Sequence, residues 1–263
     1  MGFKYIDIST HNGDIDFSKL AGKVDGVIIR AGYGKNNIDK RFKQNAEGCA
    51  KYNIPFGVYW FSYATTAAEA AQEAAYCLAA IKPYKVQLPV CFDLEYDSVA
   101  YAKKKGVTID RALASDMARA FCEAVEKAGY FAMNYANEDY CKNYFDTDIL
   151  RRFGLWYARY TKQPVLESRP RNCGIWQYTS SGSMAGISGN VDINYAYLDY
   201  AAIIAEAGLN HLPKQAEAEQ VGAWYEGAQL WAIAKGITDG SNPTEPATRA
   251  EVWAMLQRLE RGK

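Results

Sequence analysis

The sequence predicts an irregular, TIM-like α/β barrel over residues 1–209, followed by a small helical hairpin. Three observations predict it. Apolar strand-length runs alternate with helix-like runs over about 200 residues, the pattern of a parallel α/β fold. The run Gly26-Val-Ile-Ile-Arg-Ala31 is nearly all apolar, as a strand covered on both faces must be. The connections between the last three strands are short and lack helical periodicity, which makes the barrel irregular. A doubly wound open sheet is the competing architecture. No G-x-G-x-x-G follows the first strand, and Ala31-Gly-Tyr-Gly34 is too sparse to supply one.

Taken in order, the first strand is read at Tyr5–Ser9 and the second at Gly26–Ala31. Asp39 is placed to cap a helix running to about Tyr52. Phe56–Tyr63 is the third strand. Thr66-Ala-Ala-Glu69 is a capping-box signature, opening an alanine-rich helix to Ile81. Leu88–Glu95 is the fourth strand, and a long helix from about Ile109 to Ala128 is closed by Gly129. Strands five to eight fall at Phe131–Tyr135, Leu155–Arg159, Gly174–Tyr178 and Val191–Asn194. A polar linker is read over 210–219. Residues 220–263 contain Trp224, Trp231 and Trp253 and pattern as two helices. Between them lies the turn-rich run Gly236–Pro243, and a second capping box, Thr248-Arg-Ala-Glu251, opens the second helix.

Composition narrows the function classes. Lys+Arg and Asp+Glu are both 30, so no basic excess points to nucleic acid. The six cysteines form no C-x-x-C pair, which argues against a metal site; they are read as free thiols of a reducing compartment. The N-terminus reads as a strand, not as a signal peptide or a myristoylation site. No run approaches the ~20 apolar residues needed to span a bilayer. The 20 tyrosines supply flat apolar faces with polar tips, which suit sugar rings as well as an ordinary core.

The sharpest chemical signal is Asp93-Leu94-Glu95 at a strand end. Residues i and i+2 of a strand point the same way, so both carboxyl groups face one side and Leu94 the other. The neighbouring Val90-Cys-Phe92 makes the surroundings apolar, and like charges two strand steps apart push their pKa values apart. One acid protonated and one ionised is what glycoside hydrolysis needs. A bare D-x-E is more often a solvated strand end. Asp7 inside Tyr5-Ile-Asp-Ile, Asp192 after the seventh strand, and aromatics at the strand ends shift the balance. In a parallel barrel those ends converge on one mouth. Histidine chemistry is poorly provided for: only His11 and His211 exist, with no H-E-x-x-H and no G-x-S-x-G.

Six motifs occur in order: Tyr5-Ile-Asp-Ile-Ser9, Arg30-Ala-Gly-Tyr-Gly34, Gly57-Val-Tyr-Trp-Phe61, Phe92-Asp-Leu-Glu95, Trp176-Gln-Tyr178 and Gly189-Asn-Val-Asp-Ile-Asn194. Together they resemble glycoside hydrolase family 25, the lysozymes of bacteria, fungi and phage endolysins, over residues 1 to about 205. The resemblance implies five βα units followed by three strands. It implies cleavage of the β-1,4 bond after N-acetylmuramic acid in peptidoglycan, with Glu95 as general acid. Asp93 would orient or stabilise the substrate's 2-acetamido group as internal nucleophile, and Asp7 and Asp192 would complete an acidic cleft. Tyr33, Tyr59, Tyr63, Tyr135, Trp156 and Gln177 become candidate sugar contacts. Carboxylate spacing on the strand leaves retention and inversion open. The chain departs from the family at Thr10-His-Asn-Gly13, where an aromatic and Gln often precede the Gly.

The tail is similar to part of an S-layer homology repeat, which implies binding to a secondary cell-wall polymer; self-association is its rival. No cofactor and no metal are implied, and no membrane partner. A wall substrate without a leader suggests synthesis in the cytoplasm and release by lysis, as in a phage or prophage endolysin. A wall-glycan binding protein without activity, and a hydrolase of another N-acetylated glycan such as chitin, are the alternatives.

Overall fold

The computed structural model describes residues 2–162, 169, 170 and 172–212. The elements run β1 (Phe3–Ile8), a 3-10 turn at Thr10–Asn12, α1 (Phe17–Leu20), β2 (Gly26–Tyr33), β3 (Asn37–Ile38), α2 (Phe42–Lys51), β4 (Phe56–Phe61) and α3 (Ala67–Ile81). They continue through β5 (Val90–Asp93), α4 (Tyr96–Lys104), α5 (Arg111–Lys127), β6 (Ala132–Asn137), α6 (Glu138–Asn143) and α7 (Thr147–Arg152). The last are β7 (Gly154–Ala158), β8 (Cys173–Gly182), β9 (Val191–Ala196) and α8 (Tyr200–Ala207).

The strands close in the order β1-β9-β8-β7-β6-β5-β4-β2, and β1 pairs with β2 to complete the ring; β3 hangs outside it as a hairpin partner of β2. Five βα units are followed by three strands, as the sequence resemblance implied. One feature differs from a parallel barrel: β9 runs antiparallel to both β8 and β1. The cause is the short connection from Gly182 to Val191. A hairpin can join antiparallel neighbours, whereas a parallel neighbour needs a crossover of about a dozen residues or more.

Strand alternation sorts the residues into two layers. Ile6, Val27, Ile29, Val58, Trp60, Val90, Phe92, Leu155 and Trp176 form the outer layer, packed with Ala70, Ala74 and Cys77 of α3 and Met117 and Phe121 of α5. Tyr5, Ile28, Cys91, Met133, Trp156, Ile175 and Ala196 fill the barrel interior. Trp176, an aromatic of the Trp176-Gln-Tyr178 motif, belongs to the outer layer and not to the mouth. Its indole N–H donates to the Arg159 carbonyl at 2.8 Å.

Local signals behave unevenly. Thr66 caps α3, its hydroxyl accepting from Glu69 N at 3.2 Å, while Glu69 reaches back to Thr65 N at 2.7 Å. Asp110 caps α5 through Leu113 N at 2.9 Å, and Gly129, at φ +82°, follows its end in the left-handed region that favours glycine. Asp39 is not the cap of α2. That position is Arg41, without a side-chain cap, because Asp39 is committed to Arg30. Helices α4, α6, α7 and α8 lie outside the sequence reading; all but α4 are eight residues or fewer, and of these Asn137 caps α6 through Tyr140 N at 2.9 Å and Asp199 caps α8 through Ala202 N at 3.0 Å.

Asn210 is buried, accepting from Phe131 N at 2.7 Å and donating to the Val86 and Leu88 carbonyls at 3.2 and 2.9 Å. It ties the chain after α8 to the segments entering β5 and β6. The helical module read at 220–263, and the linker beyond Leu212, lie outside the described residues. Among the described residues, no helix is long and apolar enough to cross a membrane. The six cysteines are free thiols; five are buried and Cys141 is partly so.

Candidate active site at the barrel mouth

The carboxyl groups arise from strand alternation carried one step too far for an apolar core. Cys91 fills the interior, and the next inward position on β5 is Asp93. Likewise Tyr5 is followed inward by Asp7 on β1. Glu95 lies two residues beyond Asp93 at the N-cap of α4, with extended backbone (φ −130°, ψ −177°). That continuation preserves the i, i+2 relation, with Leu94 buried in the outer layer. Glu95 N donates to Ser98 Oγ at 3.1 Å, which fixes the strand-to-helix turn. Asp192 faces Asp7 directly across the β1–β9 ladder, and Asp93 stands in register between Phe61 and Tyr135. The fold therefore brings together Asp7, Asp93, Glu95 and Asp192.

Asp7 is the most heavily partnered. Its Oδ2 accepts from Gln177 Nε2 at 2.9 Å and Asn194 Nδ2 at 2.8 Å. Each amide is oriented from behind. Tyr135 OH donates to Gln177 Oε1 at 3.1 Å, and Trp156 Nε1 donates to Asn194 Oδ1 at 2.7 Å. An indole N–H can only donate, so Asn194 must turn its oxygen to Trp156 and its NH2 to Asp7. Sequence reasoning missed Asn194 as a site residue; its spacing of two from Asp192 was the available signal. Trp156, expected as a sugar contact, is only 2% exposed and packs edge-on against Tyr59 and Tyr135, forming the floor beneath them.

All four acids are held above the ordinary carboxyl range. Burial pushes Asp7 up to about 8, with Asp192 adding to it and the two amides opposing. Asp93 is raised well above its usual value by burial, then by Glu95 and Asp7, with Arg30 opposing; its Oδ1 has no hydrogen-bond partner among the described residues. Glu95 is raised to about 7 by burial and then by Asp192 and Asp97, and Asp192 to about 6 by burial. Four acids confined together cannot all ionise near neutrality, so some retain protons there.

Of the four, Glu95 is the acid that lines the open cleft. With Tyr96, Tyr135, Asn137, Arg159 and Tyr160 it lines a cleft of about 550 Å³. On the other side of the mouth, Tyr33 and Tyr63 lie 6.3 Å apart, edge to face, and Tyr63 is 5.0 Å from Tyr101. Tyr33 and Tyr63 line two adjoining hollows of about 430 Å³ each, and Tyr101 lines one of them. Two supports there were missed in the sequence. Arg30 is held by Asp39 at 2.8 Å, and Asp39 also accepts from Thr10 N and Arg41 N, tying two mouth loops together. Glu73 of α3 is buried and raised to about 7 by burial, and its Oε1 accepts from Tyr63 N at 2.9 Å. Among the described residues, no group of three or more His, Cys, Asp or Glu could hold a metal ion.

A closed barrel whose carboxyl-terminal mouth carries carboxyl groups and tyrosines defines the class of carboxyl-dependent, sugar-directed barrels. The model for the glycosyl hydrolases family 25 matches residues 6–187, and the chain belongs to that family. It is 24% identical over 193 residues to an autolytic lysozyme of Clostridium acetobutylicum, covering 73% of this chain and 55% of that protein. The modular autolysin LytC of Streptococcus pneumoniae, solved with a synthetic peptidoglycan ligand, superposes with a TM-score of 0.65 at 31% identity, over 74% of this chain and 47% of LytC. The CTP1L endolysin superposes with a TM-score of 0.63 at 27% identity, over 77% of this chain and 69% of that one. The chain thus spans about half the length of the autolytic lysozyme and of LytC.

Proposed function

We propose that this protein is a muramidase that hydrolyses the β-1,4 bond between N-acetylmuramic acid and N-acetylglucosamine in bacterial peptidoglycan. The observation that carries the reading is Glu95, a partly buried carboxyl group at the edge of an open cleft, beside the buried Asp7 and Asp93 and the half-buried Asp192. Family membership and the peptidoglycan ligand of LytC support the substrate class.

Glu95, protonated, donates to the glycosidic oxygen as the bond to the muramic C1 breaks. The substrate's own 2-acetamido oxygen closes on C1, and Asp93 accepts from its N–H, stabilising the charge that develops. Water then opens the ring intermediate, Glu95 taking the proton. Asp7, fixed by Gln177 and Asn194, shapes the field of the site with Asp192, while Tyr33, Tyr59, Tyr63 and Tyr135 offer faces to the sugars. Gln177 and Trp156 act from beneath. Residues 220–263 we assign to wall attachment, on their likeness to an S-layer homology repeat. The wall as site of action fits the autolysin and endolysin relatives.

The test is a digest of purified peptidoglycan, reduced with borohydride and read by mass spectrometry. Reduced N-acetylmuramic acid ends are expected, and Glu95→Gln should abolish them while wall binding persists. Reduced N-acetylglucosamine ends would move the cut to the other bond. An absence of new ends would turn the reading to a wall-binding protein or to another glycan such as chitin.

A further inference from the structure

We infer that the Tyr33–Tyr63–Tyr101 side of the mouth is a subsite for the carboxylates of the peptide stem that muramic acid carries, with Lys40 and Lys104 as the groups that receive them. This rests on the peptidoglycan reading above and adds to it a part of the substrate that the sugar-cutting acids do not address.

The chain as a whole is neutral, with 30 basic and 30 acidic residues. The two adjoining hollows are not. Lys35, Lys40 and Lys104 line them, and the acids there are Asp97 and Asp39. Asp39 is already neutralised by Arg30 at 2.8 Å. Lys40 and Lys104 are in no ion pair among the described residues, whereas Lys35 lies close enough to Glu69 to lower its pKa. On the far side of Glu95 the cations are committed: Lys142 pairs with Glu138 at 2.9 Å, and the Arg159 guanidinium lies 5.0 Å over the Trp176 ring. Among the described residues that line these three hollows, the positive charge without an ion-pair partner therefore lies on the Lys40 and Lys104 side.

A neutral sugar gives uncommitted ammonium groups nothing ionic to meet. The rings of peptidoglycan carry hydroxyl and acetamido groups. Its glycan strands are anionic where the peptide stem, joined through the lactyl ether of muramic acid, ends in carboxylates. Lysine is well matched to such a stem. It is a mobile point charge on a long side chain, able to follow a flexible peptide, where an arginine fork would demand one planar geometry. The tyrosines between the lysines and Asp93 supply the face on which the attached sugar rests. Phe61, beside Tyr63 in the lining of one hollow, is in register with Asp93, which places that hollow next to the strand end carrying the reacting centre.

Exposed ion pairs are individually weak, so the effect is a preference, about threefold per lysine and about tenfold for the pair. The experiment compares kcat/KM of the full chain and of its Lys40→Gln/Lys104→Gln variant at low salt on three soluble substrates. The first is glycan chains with free stem carboxylates. The second is the same chains with every carboxyl converted to the methylamide. The third is chains stripped of stems by an amidase, whose remaining carboxylates sit on the lactyl ethers. The expected result is a ratio of about ten between the first and second substrates for the native chain, falling to near one in the variant. Raising salt from about 0.02 to 0.5 M should erode the native ratio as screening shortens. A native ratio of one, or a variant that keeps the native ratio, overturns the inference while leaving muramidase activity standing. So does equal activity on stripped and stem-bearing chains, which would place the recognised charge on the lactyl ether. Failure to cut any of the three defeats the peptidoglycan reading itself. Asp97→Asn, which removes the opposing charge, should raise the native ratio by about threefold.

Discussion

Replacing Glu95 by Gln should stabilise the protein, and more so at alkaline pH. Glu95 is raised from an ordinary value of 4.5 to about 7, mainly by burial. A carboxyl group with its folded pKa above its unfolded one binds more protons in the native state. Its penalty is absent below about pH 4.5, grows as pH rises, and is complete above about pH 7. At about 1.4 kcal/mol per tenfold change in proton affinity, the upper bound is roughly 3 kcal/mol. Glu95 borders the open cleft and shares its titration with Asp192, so screening reduces this to about 1–2 kcal/mol. Glutamine keeps the shape and carries no charge, so the penalty disappears. A barrel of this size shifts by about 2–4 °C per kcal/mol. The variant should then melt about 2–8 °C above the native protein at pH 8, and within about 1 °C of it at pH 4.5. Differential scanning calorimetry of both proteins across that range reads the difference. A gain in Tm that is equal at both pH values, or larger at pH 4.5, would refute the account of Glu95 as a buried, proton-retaining acid.

Three further outcomes follow from the same geometry. The rate of peptidoglycan hydrolysis should decline as pH rises past about 7, because Glu95 then loses the proton it donates; a pH profile of kcat/KM flat to pH 9 would remove it as the acid. Arg30→Met removes the cation paired with the buried Asp39 carboxylate and should cost about 3–5 kcal/mol in urea unfolding; a loss below about 1 kcal/mol would mean that the pair contributes little to the fold. Trp156→Phe removes the donor that orients Asn194 and should cost about 1–3 kcal/mol while lowering kcat more than it raises KM; a change confined to KM would make Trp156 a sugar contact after all.

The barrel was legible because its strands repeat one instruction. A run such as Gly26–Ala31 is apolar on both faces only if both faces are covered, and helix signals between the runs say what covers the outer one. The capping threonine of α3 and the closing glycine after α5 carry their meaning locally, so they were readable. Asp39 misled for the opposite reason. Its spacing suited a cap, but its partner is Arg30, nine residues away on a strand. A cap is a local contest that a half-buried cation wins without leaving a trace in the sequence. The reversal of β9 was equally hidden, since alternation is the same in either direction and only the length of the connection distinguishes them.

The site divides along the same line. Asp93 and Glu95 were readable because their relation is a strand period. Asp7 and Asp192 were readable as acids in apolar company, yet their facing positions on β1 and β9 come only from closure. Gln177 and Asn194 needed the closed ring as well, since they reach Asp7 across 170 and 187 residues. Their presence explains how the barrel tolerates an acid where the next inward layer should be apolar. Two oriented amides satisfy one oxygen of Asp7, so the group is held in place whether or not its other oxygen is protonated. Asp93 has no such pair, and its Oδ1 is buried without a partner among the described residues. An orphaned acceptor of this kind costs about 1–3 kcal/mol, and a donor on a bound substrate would relieve it. The acid with least support inside the protein is therefore the one best placed to accept from the substrate, and the best-supported acid, Asp7, is the one suited to holding the field around it.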